Sequence, residues 1–129
     1  MQRIFKIKTA TTGALLATIA SGIVAFAPTA HASDCSDMLG SARYYNTQTA
    51  EAVSGGSFSD GINYNNATQS ILIDAQSACY YSTESLQAIQ SARGGIDSIR
   101  WGLDHGDAGQ VYAGVDSVGA DIERAIYYS

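Results

Sequence analysis

Cys35 and Cys79 are the only cysteines of the chain, and their placement restricts the fold more than any other feature. They lie equally far from the two ends of a predicted turn around Gly55-Gly56, a glycine pair typical of a helix end. Residues equally far from the turn of an antiparallel helical hairpin face each other, and a disulfide forms there without distorting the backbone. We therefore expect a Cys35–Cys79 bond, worth about 4 kcal/mol in the chain-entropy model. Two free thiols or an intermolecular bond are the alternatives.

Residues 1–32 have the pattern of a bacterial secretory signal peptide. Three basic residues precede a long apolar run, a proline follows it, and Ala30-His31-Ala32 supplies the small residues that a cleavage site requires. We expect cleavage after Ala32, which leaves residues 33–129 as one secreted, extracellular domain. An uncleaved membrane anchor is the alternative, although the several Gly, Thr and Ser residues of the run favour removal.

The predicted mature chain is strongly acidic. It keeps four arginines, no lysine and all twelve acidic residues, so its net charge is −8. Such a surface repels nucleic acids and anionic membranes, because binding to either needs clustered cations. Two cysteines and one mature histidine, His105, are too few for a zinc site. We expect a protein with no metal or cofactor that binds neither nucleic acid nor, after signal cleavage, a membrane.

The spacing of apolar and small residues predicts four helices. Ser59 or Asp60 is the predicted cap of the second helix and Asp107 that of the fourth. Gly94-Gly95 predicts a kink or a short break in the third helix. No glycine or proline marks Ser82, so whether the second helix continues through it into the third stays open. The predicted helices are Asp34–Ser54, Asp60 to about Tyr81, a third that begins between Ser82 and Ser85 and ends near Gly102, and a fourth from Asp107 to the end.

Each predicted helix carries one stripe of apolar or small residues that faces a common core. The first two stripes are Met38, Ala42, Tyr45, Thr49 and Ala52, and Tyr64, Ala67, Ile71, Ala75 and Ala78. The last two are Leu86, Ile89, Ile96, Ile99 and Leu103, and Val111, Val115, Val118, Ile122 and either Ala125 or Ile126.

The chain also contains an internal repeat. The pattern Ala-x-Tyr-Tyr occurs three times, and a shift of 47 residues aligns Gly55 with Gly102 and Asp60 with Asp107. We interpret each repeat unit as one helical hairpin that cannot bury its stripes alone, so the two hairpins are expected to pack together. The hairpins cover residues 33–81 and 82–129, and the shift makes Ser82 and Ile126 the counterparts of the two cysteines.

The predicted fold is therefore all-α, with two tandem antiparallel hairpins. Two arrangements fit the pattern: a small four-helix bundle, or a short solenoid of the tetratricopeptide kind, although the chain lacks the characteristic period of that repeat.

Residues Asp104, His105 and Asp107 form the densest group of titratable side chains. One interpretation is an acid–base pair or a metal-binding group, and the simpler one is a turn with a capping aspartate. Asp74 and Asp121 are a second candidate pair if they face each other across the bundle. Nucleophilic catalysis by serine is disfavoured, because the chain has no Gly-x-Ser-x-Gly motif and only one mature histidine.

Four aromatic residues are the main candidates for a binding surface. In each Tyr-Tyr pair we expect one ring in the core and the other exposed, and tyrosine and tryptophan are common at interfaces. The candidates are Tyr44, Tyr80, Tyr127 and Trp101, and the simpler interpretation is that all are ordinary core or half-buried aromatic residues. We expect a non-enzymatic module that binds a protein or cell-envelope component. A small-ligand binder with a tyrosine-lined pocket is the first alternative, and a hydrolase centred on the Asp104–Asp107 group is the remote one.

Overall fold

A computed structural model describes residues 27–129, with side chains described from Asp34 onward. Residues 1–26, which hold most of the predicted signal peptide, lie outside the described residues, as do the side chains around its cleavage site. The described chain forms four helices and no strand, so the all-α prediction is confirmed. The helices are α1 (Ala27–Ser54), α2 (Phe58–Ala78), α3 (Thr83–Asp104) and α4 (Ala108–Tyr128).

Helices α2, α3 and α4 each begin at a side-chain cap, which satisfies a backbone N–H that has no partner within the helix. Asp107 caps α4, as predicted. The cap of α2 is Ser57 and not Ser59 or Asp60, because the helix starts at Phe58, two residues before the predicted start at Asp60. Asp60 then lies in the first turn, where its negative charge interacts favourably with the helix dipole. The caps Ser57, Ser82 and Asp107 accept from the backbone N–H groups of Asp60, Ser85 and Gln110 over 3.1, 3.2 and 3.0 Å.

The junction between the two hairpins is a turn. α2 ends at Ala78 and Ser82 caps α3, so the helix is not continuous through Ser82. Helix α3, in contrast, runs without a break through Gly94-Gly95, and the expected break there is absent. A Cβ atom on Gly95 would lie 2.6 Å from Cγ2 of Val118. Gly95 therefore allows α4 to approach α3 closely.

The four helices pack as a ring in which each contacts two others. α3 packs along both α2 and α4, whereas no Cα atom of α2 lies within 8 Å of one of α4. The Cys35–Cys79 disulfide joins α1 to α2, and Asn46 Nδ2 on α1 donates to the carbonyl of Val115 on α4 over 3.0 Å. The contact between α1 and α4 closes the ring as a four-helix bundle, since a solenoid would leave its first and last helices apart.

The core confirms the predicted stripe of α4 and most of that of α3. All five α4 residues are buried: Val111, Val115, Val118, Ile122 and Ala125. The predicted α3 residues are buried as well, except Leu86, which is half-buried. On α1, Ala42 and Thr49 are buried, but Met38, Tyr45 and Ala52 are half-buried. On α2 only Ala75 of the predicted stripe is fully buried; Tyr64, Ala67, Ile71 and Ala78 are half-buried, and Ile71 and Ala78 pack against the core. The buried residues of α2 are Gly61, Asn65, Thr68, Leu72 and Ala75.

The two hairpins repeat with an offset of 50 residues, and the predicted offset of 47 is wrong. Gly102 lies inside α3 and not in a turn, while the last residues of α1 and α3, Ser54 and Asp104, are 50 apart. The two turn glycines with positive φ, Gly56 (90°) and Gly106 (66°), are also 50 apart. Burial recurs at the same interval: Cys35/Ser85, Leu39/Ile89, Ala42/Ala92, Asn46/Ile96, Thr49/Ile99, Val53/Leu103, Gly61/Val111, Asn65/Val115, Thr68/Val118, Leu72/Ile122 and Ala75/Ala125.

Candidate functional site

Four exposed tyrosines lie at the end of the bundle that the disulfide closes. Tyr80 and Tyr81 follow α2, and Tyr127 and Tyr128 end α4. Tyr127 is 80% exposed and Tyr80 is 62% exposed. The hydroxyl of Ser82 donates to the carbonyl of Tyr128 over 3.0 Å and so ties the two pairs to one place. We call these four residues the tyrosine end.

Both rings of each pair at the tyrosine end are exposed, so the expectation that one of the two enters the core is wrong there. Each pair forms a T-shaped contact, with ring centroids 5.7 Å apart in one pair and 5.0 Å in the other. Both pairs lie at or beyond the end of a helix, α2 for the first pair and α4 for the second. Tyr81 and Tyr128 are therefore surface residues that the helical stripe pattern missed.

The other two aromatic candidates lie elsewhere. Tyr44 is exposed on α1, roughly 14 Å along the helix from Cys35 at 1.5 Å per residue, and its neighbour Tyr45 is half-buried. The ring of Tyr45 stacks on that of Tyr64, with centroids 6.2 Å apart. Trp101 is 52% exposed at the opposite end of the bundle. The structure thus brings Tyr80 and Tyr127 together and leaves Tyr44 and Trp101 apart from them.

The disulfide behind the tyrosine end is part of the core. Cys35 and Cys79 are both fully buried, with Cα atoms 4.9 Å apart, and the predicted bond is confirmed. The 50-residue offset makes Ser85 the counterpart of Cys35, which corrects the earlier assignment to Ser82. Ser85 Oγ donates to the carbonyl of Ala125 over 2.7 Å. Where hairpin one has a covalent bond, hairpin two has a buried hydrogen bond.

The titratable group near the α3–α4 turn has structural partners. Asp104 pairs with Arg100 over 2.9 Å, and Asp107 is the α4 cap. His105 stacks on Trp101, with centroids 4.1 Å apart, and its Nδ1 lies 2.7 Å from the carbonyl of Trp101. All three titratable side chains are exposed, and each has a role in the turn.

The second carboxylate candidate does not form. Asp74 is exposed on α2, and Asp121 on α4 accepts from Ser91 Oγ over 2.8 Å and pairs with Arg124. They do not face each other, because α2 and α4 lie diagonally opposite in the bundle.

Two further tests concern metals and membranes. Among the described side chains, no three His, Cys, Asp or Glu residues lie close enough together to hold a metal ion. Within the described part of the chain, every helix is too short or too polar for a membrane span.

Two buried asparagines join the hairpins along the α1/α4 seam and the α2/α3 seam. Asn46 donates to the Val115 carbonyl across the first, and Asn65 Nδ2 donates to the Ile96 carbonyl across the second over 3.4 Å. The 50-residue offset relates the two contacts, because Ile96 is the counterpart of Asn46 and Val115 that of Asn65. The two seams are therefore equivalent positions of one repeated architecture.

Comparison of the chain with protein-family models, curated protein sequences and solved structures finds no significant match.

Proposed function

We propose that this protein is an exported, non-enzymatic binding module that contacts a protein or cell-envelope component through the tyrosine end. The observation that carries the proposal is the exposure of Tyr80, Tyr81, Tyr127 and Tyr128 at one end of a disulfide-bonded bundle. Tyrosine buries a large apolar area at low conformational cost and keeps a hydrogen-bonding hydroxyl, so exposed tyrosines are typical of contact surfaces.

Two contacts that fix the backbone at this end support the same proposal. The buried disulfide anchors the residue just before Tyr80, and the Ser82–Tyr128 hydrogen bond anchors the end of α4. Side chains held on such a backbone lose little further freedom on binding, which favours affinity. Export, cleavage after Ala32 and an extracellular location belong to the proposal, and the disulfide is consistent with them because oxidising compartments preserve such bonds.

The alternatives have less support. A small-ligand pocket lined by tyrosines would need rings turned inward, but six of the eight tyrosines are exposed and the other two stack on each other. A hydrolase centred on Asp104, His105 and Asp107 would need an acid–base pair, but these side chains are engaged in the turn.

A retention experiment tests the proposal. The protein, purified as the expressing cell processes it, is immobilised and exposed separately to cell-wall material and to extracellular proteins of the producing organism. We expect one fraction to be retained, and we expect the double variant Tyr127→Ser with Tyr128→Ser to retain at least ten-fold less of it. Tyr112→Ser is the matched control, because Tyr112 is also an exposed tyrosine of α4 but lies near the N-terminus of that helix, away from the tyrosine end.

Equal retention by the wild type and the double variant would overturn the proposal. So would a loss caused equally by Tyr112→Ser, because the binding would then not depend on the tyrosine end.

A further inference from the structure

The two seams between the hairpins differ on the outside of the bundle, although the repeat makes them counterparts. On the α1/α4 seam, Arg43 Nη1 donates to Glu123 Oε2 over 2.9 Å. The 50-residue offset places Arg93 and Ile73 at the matching positions of the α2/α3 seam. The second seam therefore keeps the cation and has an apolar residue in place of the acid.

Arg93 has no carboxylate partner among the described residues. Its Nη1 donates to Oε1 of Gln76 over 2.9 Å, and this partner is neutral. The other three arginines of residues 34–129 each pair with an acid. A guanidinium bonded only to an amide keeps its charge available for a carboxylate, with which it forms a stronger, charge-assisted hydrogen bond.

Ile73 and Asp97 are the other two residues of the α2/α3 seam that differ from an ordinary paired surface. Ile73 is 45% exposed and is the only large aliphatic side chain among the exposed hydrophobic residues of the described part, since the others are aromatic. Asp97 lies on α3 one turn after Arg93, is exposed and forms no ion pair in the described structure. Arg93 and Arg100 both reach side chains of α2, and Asp97 lies between them, so it belongs to the same face.

We propose that the α2/α3 face, defined by Ile73, Arg93 and Asp97, binds a second copy of this chain in a two-fold symmetric dimer. A symmetric interface requires a patch that is complementary to itself. Here Arg93 of each copy pairs with Asp97 of the other, which gives two identical ion pairs, and Ile73 packs against Ile73 of the other copy. The α1/α4 face has no equivalent role, because Arg43 and Glu123 already pair within one chain.

The area of the α2/α3 face determines how strongly we expect the dimer to associate. Two adjacent helices about 30 Å long and roughly 20 Å across together present on the order of 600 Å². This lies below the area of about 800 Å² per partner that is usual for stable complexes, so we expect a reversible dimer. The tyrosine end lies outside this face, so the two proposals stand or fall separately.

Sedimentation equilibrium tests the dimer. The disulfide-bonded protein, purified as the expressing cell processes it, is studied from about 1 µM to about 1 mM at about 0.15 M salt. We expect a concentration-dependent monomer–dimer equilibrium for the wild type. Ile73→Glu places an acid at the position that Glu123 occupies on the other seam. Arg93 then gains a carboxylate partner within its own chain. In the dimer, the two introduced glutamates would face and repel each other. We expect this variant to dimerise at least ten-fold more weakly, with unchanged circular dichroism, while Tyr112→Glu dimerises as the wild type does.

A charge exchange tests the predicted ion pairs. Arg93→Asp and Asp97→Arg should each be monomeric alone, and an equimolar mixture should form a heterodimer, because opposite charges then meet at both contacts. A wild-type protein that is monomeric at every concentration overturns the proposal. A dimer that survives Ile73→Glu, or a mixture that stays monomeric, overturns it as well. A dimer lost on Tyr127→Ser but kept on Ile73→Glu would assign the interface to the tyrosine end and also contradict this proposal.

Discussion

Asn46 and Asn65 are buried polar residues whose hydrogen bonds join one hairpin to the other. Each is almost fully buried and donates one hydrogen bond to a backbone carbonyl of the other hairpin. The side-chain oxygen of each has no protein partner, so burial has a cost that an apolar residue would not have. A buried asparagine of this kind favours one register over its neighbours, because any shift leaves the amide without its partner.

Gly94 and Gly95 are adjacent in α3 but have opposite environments, and alanine substitutions there should have opposite effects. A Cβ atom at Gly95 would lie 2.6 Å from Val118, whereas nothing lies within 4 Å of one at Gly94. We expect Gly95→Ala to lower the free energy of unfolding by about 1–3 kcal/mol through overpacking. We expect Gly94→Ala to raise it by up to about 1 kcal/mol, because alanine is the better helix former. Urea denaturation of the two variants measures both changes, and a loss of stability in both would contradict the close packing of α3 on α4.

At the scale of helices, the sequence pattern is reliable where the core is apolar and fails where it is polar. The α4 stripe was predictable because valine and isoleucine recur at helical spacing. The α2 stripe was not, because Asn65 and Thr68 occupy core positions that a hydrophobicity pattern assigns to the surface. Their backbone contacts, Asn65 to Ile96 and Thr68 Oγ1 to the Tyr64 carbonyl over 2.9 Å, are invisible in one sequence. The exposed pairs at the tyrosine end were missed for a related reason, because periodicity does not locate a helix end.

The start of α4 depends on its aspartate cap. Asp107 Oδ1 accepts from the Gln110 N–H over 3.0 Å, and its charge lies at the helix N-terminus, where the dipole favours it. We expect Asp107→Ala to lower the free energy of unfolding by about 1 kcal/mol. Asp104→Ala is the matched control three residues earlier. It removes only an exposed ion pair with Arg100, which is worth less than about 1 kcal/mol. Thermal or urea denaturation compares the two, and equal losses would show that the cap has no special weight.

The described bundle, residues 34–129, is two copies of one hairpin, and only the first copy has a covalent bond. The repeat was detectable in the sequence, but its offset was not, because few identical residues mark it and the Tyr-Tyr pairs align at 47. The helix bounds and the buried positions require 50. At this offset Ser41-Ala42-Arg43 is identical to Ser91-Ala92-Arg93. Arg43 and Arg93 differ in their partners, and this difference distinguishes the two seams.

The corrected offset predicts where a second disulfide will form. The counterparts of Cys35 and Cys79 are Ser85 and Ser129, so Ser85→Cys combined with Ser129→Cys should oxidise to a disulfide. The loop would match the native one, which separates its cysteines by 44 residues, and would add up to about 4 kcal/mol in the chain-entropy model. The lost hydrogen bond from Ser85 to Ala125 offsets part of this gain. Mass measurement of the non-reduced protein should show no free thiol, and urea denaturation should show a higher midpoint.

The control for this design is the pair Ser82→Cys with Ile126→Cys, which the 47-residue offset would select. Ser82 caps α3 and its hydroxyl binds the end of α4, so cysteine there removes two hydrogen bonds. We expect the control pair to oxidise poorly and to lower stability, because the repeated core does not place residues 82 and 126 as it places 35 and 79. If the control pair oxidised readily while the Ser85–Ser129 pair kept its thiols, the 50-residue repeat would not describe how the two hairpins are built.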